Sequence, residues 1–228
     1  MSSSPPRTPP APGSEDGKVP EIPEDLRSLT SYIRVPIFPE IVDDPALPMV
    51  LLIGDSISMY YTPEVRRLLQ GRANIHRVPD NGKSTPHGLA NLERWLEDRR
   101  WTVIHFNFGL HDFAVTAAGT QHVPPGDYEK NLRRIIRSLR ETGARLIWAS
   151  TTPVPEGSNN RRESDAVAYN ALARSVMEES GIPVNDLHSF ILSRPNRDLL
   201  QLPRNVHFRA EGSVELAGEV AKAILNVL

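Results

Sequence analysis

A hydroxyl, an imidazole and a set of N–H donors are the parts of an acyl-transfer site. This sequence carries each of them just beyond a predicted strand or just before a predicted helix. Ser56 closes Met49-Val50-Leu51-Leu52-Ile53-Gly54-Asp55-Ser56. Gly82 lies in Pro79-Asp80-Asn81-Gly82-Lys83-Ser84-Thr85, His111 in Gly109-Leu110-His111-Asp112, and His207 in Asn205-Val206-His207-Phe208. A serine becomes a nucleophile when a base within hydrogen-bond reach takes its proton and N–H groups face the developing oxyanion. Ser56 is the nucleophile candidate and His207 the base. The candidate oxyanion donors are the N–H groups of Ser56 and Gly82 and a side-chain N–H of His111. Gly-Asp-Ser by itself is too short to separate a nucleophile from a helix cap, so the weight falls on the combination.

The positioning elements follow from the pattern of apolar residues. Residues 49–53 form an unbroken apolar run, which predicts a strand buried on both faces. Further strands are predicted at 73–78, 102–108, 144–150 and 182–187, and helices at 62–70, 86–98, 127–141, 164–180 and 212–228. Leu89, Leu92, Trp95 and Leu96 make an apolar stripe on the second of these helices. The alternation implies one α/β domain over 49–228, with a five-stranded parallel sheet between two helix layers. In such sheets the loops beyond the strands' carboxyl ends gather at one edge. Residues 1–22 are rich in Pro, Ser and Gly and are expected to be disordered. Residues 23–48 are expected to pack on the domain as an irregular lead-in.

Composition excludes several classes. With 26 Lys and Arg against 28 Asp and Glu, the net charge of -2 gives no case for nucleic acid or an anionic membrane surface. The absence of cysteine removes disulfides, thiolate metal sites and a Cys nucleophile. No apolar run approaches the ~20 residues that span a bilayer. The N-terminus lacks the apolar core of a secretory signal, so cytoplasm is the default, and secretion or a periplasmic location is the alternative if a leader was removed. His76, His87, His122 and His188 have no metal-like spacing, and His105 inside an apolar strand reads as a core histidine. Gly82-Lys83-Ser84 lacks the glycine of a phosphate-binding loop five residues earlier. No metal or cofactor is expected.

The four blocks together resemble the SGNH (GDSL-type) esterases over about residues 49–228. Gly54-Asp55-Ser56 is similar to the family's nucleophile block. Asn81-Gly82 with Gly88-Leu89 is similar to the block that supplies an oxyanion glycine. Gly109-Leu110-His111-Asp112 stands where Gly-x-Asn-Asp is usual, and Val206 to Gly212 resembles the catalytic-histidine block. The resemblance implies a flavodoxin-like three-layer fold and metal-free hydrolysis of a small-molecule or oligosaccharide ester.

Two departures shape the expectation. His111 replaces the oxyanion asparagine, as in a carbohydrate-acetylesterase-like branch; a neutral imidazole still offers one N–H. That likeness points to a short acyl group, acetyl on an O-acetylated carbohydrate. Arg204 occupies the usual acid position, three residues before His207. The group orienting His207 is then a backbone carbonyl, the Asn205 side chain or an acid from elsewhere. Arg204 could instead contact substrate, while Asp112 is expected to brace the His111 loop and is a further contact candidate. The alternative is a catalytically impaired relative that binds acylated sugars. Oligomeric state is not legible.

Overall fold

The computed structural model describes residues 41–228, so the tail expected over 1–22 and most of the lead-in over 23–48 lie outside the described residues. Five strands form one sheet: β1 (Met49–Ile53), β2 (Asn74–Arg77), β3 (Val103–Phe106), β4 (Arg145–Ala149) and β5 (Val184–Asn185). Their order is β2-β1-β3-β4-β5, and every pair is parallel. The apolar run at 50–53 becomes the centre because it is almost wholly shielded from water on both faces. Each of those side chains contributes about 1.5–3 kcal/mol when fully buried.

Helices cover both faces. α1 (Ser56–Leu68) packs with α7 (Ala210–Leu225) on one side, and α2 (Thr85–Leu96), α3 (Pro125–Glu141) and α4 (Glu163–Glu179) form the other layer. Two short helices, α5 (Leu187–Leu192) and α6 (Arg197–Leu200), follow β5. The stripe Tyr128, Leu132, Ile135, Ile136 and Leu139 shows why α3 docks: its spacing leaves one continuous buried face. The expected three-layer α/β fold is the fold observed.

Two boundaries differ from the sequence reading. α1 begins at Ser56 rather than near 62, because the Asp55 side chain caps it by accepting the Ile57 N–H at 2.9 Å. Pro63 sits inside the helix. β5 spans only two residues, since the chain turns at Asp186 to cap α5 through the Ser189 N–H.

The last residues of the lead-in do reach the domain. Asn74 on β2 accepts the Asp44 N–H and donates to the Asp44 carbonyl, at 3.0 and 2.8 Å. His105 is buried beside Asn185, at 3.1 Å, and burial holds its imidazole down at about 4. It is a neutral core histidine, as expected.

Candidate active site

The β1 strand ends at Gly54, and Asp55 turns the chain into α1 so that Ser56 occupies the first helical position. An N–H at that position has no intrahelical acceptor. Beneath the turn lies Arg77 at the end of β2, only 7% exposed. Its guanidinium donates to the carbonyls of Gly54 (2.8 Å), Asp55 (3.1 Å), Val78 (2.7 Å) and Asp80 (2.7 Å), and to the Ser58 hydroxyl. Burial pulls it down to about 10, which leaves it charged at neutral pH. A buried strand arginine gives no periodic signal, and its acceptors are mostly main-chain carbonyls, so sequence reading missed it.

His207 comes from the far end of the chain. The segment before α7 is pinned by Leu202 N–H to the His207 carbonyl (3.0 Å) and by Arg209 N–H to the Leu200 carbonyl (2.8 Å). Gln201 adds side-chain donations to the Pro153 and Val206 carbonyls, and buried Val206 and Phe208 anchor either side of the histidine. The result sets Nε2 of His207 2.9 Å from the Ser56 hydroxyl oxygen, across 151 residues of sequence. Tyr60, one turn after Ser56, stands edge-on to the imidazole, with ring centroids 5.7 Å apart.

The other ring nitrogen also has a side-chain partner. Nδ1 lies 2.8 Å from the Asn205 side-chain oxygen, which also accepts the His207 backbone N–H at 3.1 Å. A backbone N–H can only donate, so the Asn205 atom facing it is the amide oxygen. That oxygen then accepts the Nδ1 proton and leaves Nε2 as an acceptor toward the serine. Burial lowers the His207 pKa; the Asp55 charge opposes this and the Arg161 charge adds to it. Below its ordinary range, the imidazole is neutral at neutral pH, with Nε2 free to accept a proton.

The remaining candidates fall in three places. Asp112 is fully buried and braces the neighbouring loop: it accepts the Thr85 N–H at 2.8 Å and hydroxyl at 2.6 Å, at the start of α2. Burial pushes its carboxyl up to about 7. Its Oδ1 is committed to Thr85 and its buried Oδ2 makes no hydrogen bond among the described residues, so it is not the partner of His207. Arg204 is exposed, holds a left-handed φ of 56° and lies against Gly157 rather than serving as the partner of Nδ1. Gly82 comes within van der Waals reach of the nucleophile turn, where a Cβ would meet the Gly54 carbonyl oxygen at 2.7 Å. Its N–H donates to that same carbonyl at 2.9 Å, so this donor is committed in the structure.

His111 is half-buried, and burial lowers its pKa. It lines a cavity of about 370 Å³ with Lys83, Ser84, Thr116, His122 and Arg161. Arg161, on the loop before α4, was not singled out from the sequence; one arginine among several in a polar stretch carries no local mark. Asn107, just beyond β3, donates to the Ala149 carbonyl at 2.8 Å and ties the ends of β3 and β4. Among the described residues no group of three or more His, Asp or Glu side chains is arranged for a metal ion, and no helix is long and apolar enough to cross a membrane.

A serine–imidazole pair at the carboxyl edge of a parallel three-layer α/β sheet describes a class of hydrolase. Residues 52–213 match the GDSL-like Lipase/Acylhydrolase family, and the chain belongs to it. It is therefore an ester hydrolase, acting on a small-molecule ester. Solved structures share the fold. A lipase/acylhydrolase from Enterococcus faecalis is 18% identical, with TM-score 0.69, covering 78% of this chain and 95% of its own. An acetyl xylan esterase is 16% identical, with TM-score 0.67 and coverage of 77% and 99%. A GDSL-like lipase from Bacteroides thetaiotaomicron is 14% identical, with TM-score 0.65 and coverage of 90% and 98%. No curated protein matches the chain.

Proposed function

We propose that the protein hydrolyses short-chain esters, acetyl esters first, through Ser56 and His207. The observation that carries the reading is the relay from the Ser56 hydroxyl to Nε2 of His207 at 2.9 Å and from Nδ1 to Asn205 at 2.8 Å. The Ser56 oxygen attacks the ester carbonyl as its proton passes to Nε2. The resulting oxyanion is met by the Ser56 N–H and a side-chain N–H of His111. Gly82 joins them only if its N–H leaves or is shared with the Gly54 carbonyl. His207 then protonates the departing alcohol, and a water activated by the same imidazole releases the acid.

Asn205 accepts the Nδ1 proton without a formal charge to balance the imidazolium. In a well-studied triad, replacing Asp by Asn costs ~10⁴ in kcat because it produces the wrong tautomer. Here the amide oxygen selects the right tautomer, and the nearby Asp55 charge favours protonated His207. The missing acid is thus partly replaced.

Two observations support a short acyl group on a carbohydrate. One of the structures sharing the fold is an acetyl xylan esterase, and the site's surroundings are polar and charged.

The test compares hydrolysis of chromogenic acetate, butyrate and octanoate esters and of acetylated xylan by the wild type, Ser56→Ala and His207→Ala. Both variants should fold normally and lose at least ~10³-fold in kcat, and acetate should exceed octanoate in kcat/KM. Equal rates in all three proteins would sink the Ser–His mechanism. A preference for octanoate would sink the short-acyl reading alone.

A further inference from the structure

The cavity beside His111 has an unusual charge inventory. Lys83, Arg161 and two histidines, His111 and His122, line it together with Ser84 and Thr116, and its lining holds no acidic side chain. Neither Lys83 nor Arg161 forms an ion pair among the described residues. Arg161 is only half-exposed, and burial lowers its pKa. Its Nε donates to the Leu110 carbonyl at 2.8 Å and Nη1 to the Asn160 side chain at 3.0 Å. Nη2 makes no hydrogen bond within the described residues. The acid whose charge is felt by both Arg161 and His111 is Asp55, buried under the nucleophile turn, while Glu156, Glu163 and Asp198 line the neighbouring cavity on the other side of Arg161.

Partly burying a guanidinium without a carboxylate partner is unfavourable unless another anion completes the site. Arginine's planar fork matches a carboxylate, and lysine supplies a point charge beside it. The fork is already fixed by two hydrogen bonds, so little side-chain freedom is lost on binding. The Lys83 backbone is held too: its N–H donates to the Asn81 side chain at 2.9 Å.

We infer that this pocket binds a carboxylate carried by the substrate, so that the preferred esters are anionic, with Lys83 and Arg161 as the specificity-determining residues. This rests on the esterase reading only in taking the pocket's occupant to be part of the ester. The carboxylate has two possible carriers, the acyl chain of a dicarboxylic acid half-ester or the alcohol part of an acylated hydroxy or sugar acid. A pocket adjoining the oxyanion side serves either.

The experiment measures binding without turnover. Full-length Ser56→Ala protein is titrated calorimetrically with monoethyl succinate against diethyl succinate for the acyl arm. For the alcohol arm, 4-acetoxybenzoate is compared with its methyl ester. In at least one arm the anionic ester should bind about tenfold tighter or more than its neutral match. The advantage should shrink as salt is raised. It should vanish when Arg161→Gln or Lys83→Gln is added and persist in part with Arg161→Lys, which keeps the charge if the glutamine variant misfolds.

The arm that shows the preference identifies the carrier. Equal binding of anionic and neutral esters in both arms, or no detectable binding of either anionic ester at millimolar concentration, overturns the proposal. Because the titration involves no hydrolysis, its failure is separable from a failure of wild-type turnover on neutral acetates, which would count against the Ser–His mechanism alone.

Discussion

Two partly or wholly buried arginines flank the candidate site, and they do opposite work. Arg77 is enclosed beneath the nucleophile turn, and each nitrogen of its guanidinium meets a carbonyl or a hydroxyl. Arg161 stands at the rim with two donations made and Nη2 unengaged among the described residues. A guanidinium saturated by main-chain acceptors is scaffold, because it fixes where several chain segments meet. One that keeps spare donors facing a cavity is suited to reading a ligand. Counting satisfied donors separates these roles where charge alone does not.

The largest expected effect comes from erasing the saturated member. Arg77→Met should remove the donor that the Gly54, Asp55, Val78 and Asp80 carbonyls share and cost about 3 kcal/mol or more of stability. Because Gly54 and Asp55 carry Ser56, kcat should fall more than KM rises, and Arg77→Lys should recover only part of both. Chemical denaturation and steady-state kinetics on the three proteins check this; an unchanged kcat would end the scaffold reading of Arg77.

A smaller effect is expected at Asn205, which belongs to neither arginine but shows how much of the base's behaviour the surrounding charges set. Burial lowers the His207 pKa, so the neutral, active imidazole persists below the usual histidine range, and the acid limb of kcat/KM should lie below pH ~6.5. Asn205→Asp places a carboxylate beside Nδ1, favours the protonated form and should move that limb upward. Asn205→Ala should lower kcat roughly 10²-fold by releasing the tautomer. A limb that stays in place in Asn205→Asp would mean that His207 is not the titrating base.

The smallest effect is expected on stability at the rim. Arg161→Gln should change the free energy of unfolding by about 1 kcal/mol or less, in contrast to Arg77→Met. A loss as large as that of Arg77→Met would erase the distinction between the two arginines.

How far the sequence revealed this arrangement depends on how local each signal was. The sheet was legible because strands such as 50–53 must be apolar throughout to lie between two helix layers, and α3 was legible from its stripe. Ser56 and His207 stood out through short motifs beside predicted elements, and the structure brings them into hydrogen-bond contact. Asn205 was one of three open alternatives, because adjacency in sequence does not say where an amide oxygen points. The start of α1 is set by the Asp55 cap, which the spacing of apolar residues does not mark. The commitment of the Gly82 N–H to Gly54, the Asp112–Thr85 brace and both arginine environments are products of strand order. Their long-range contacts pair residues 19 to 51 positions apart, and no local pattern encodes those partners.

Asn205 and His207 are two residues apart on one tight turn. In the proposed mechanism the base and the group that sets its tautomer are therefore inherited as a single tripeptide. Insertions and deletions elsewhere in the segment between β5 and α7 can drift without separating them. The distance that evolution must conserve across the fold is then a single one, from Ser56 to that tripeptide, rather than the two distances that a distant orienting acid would impose.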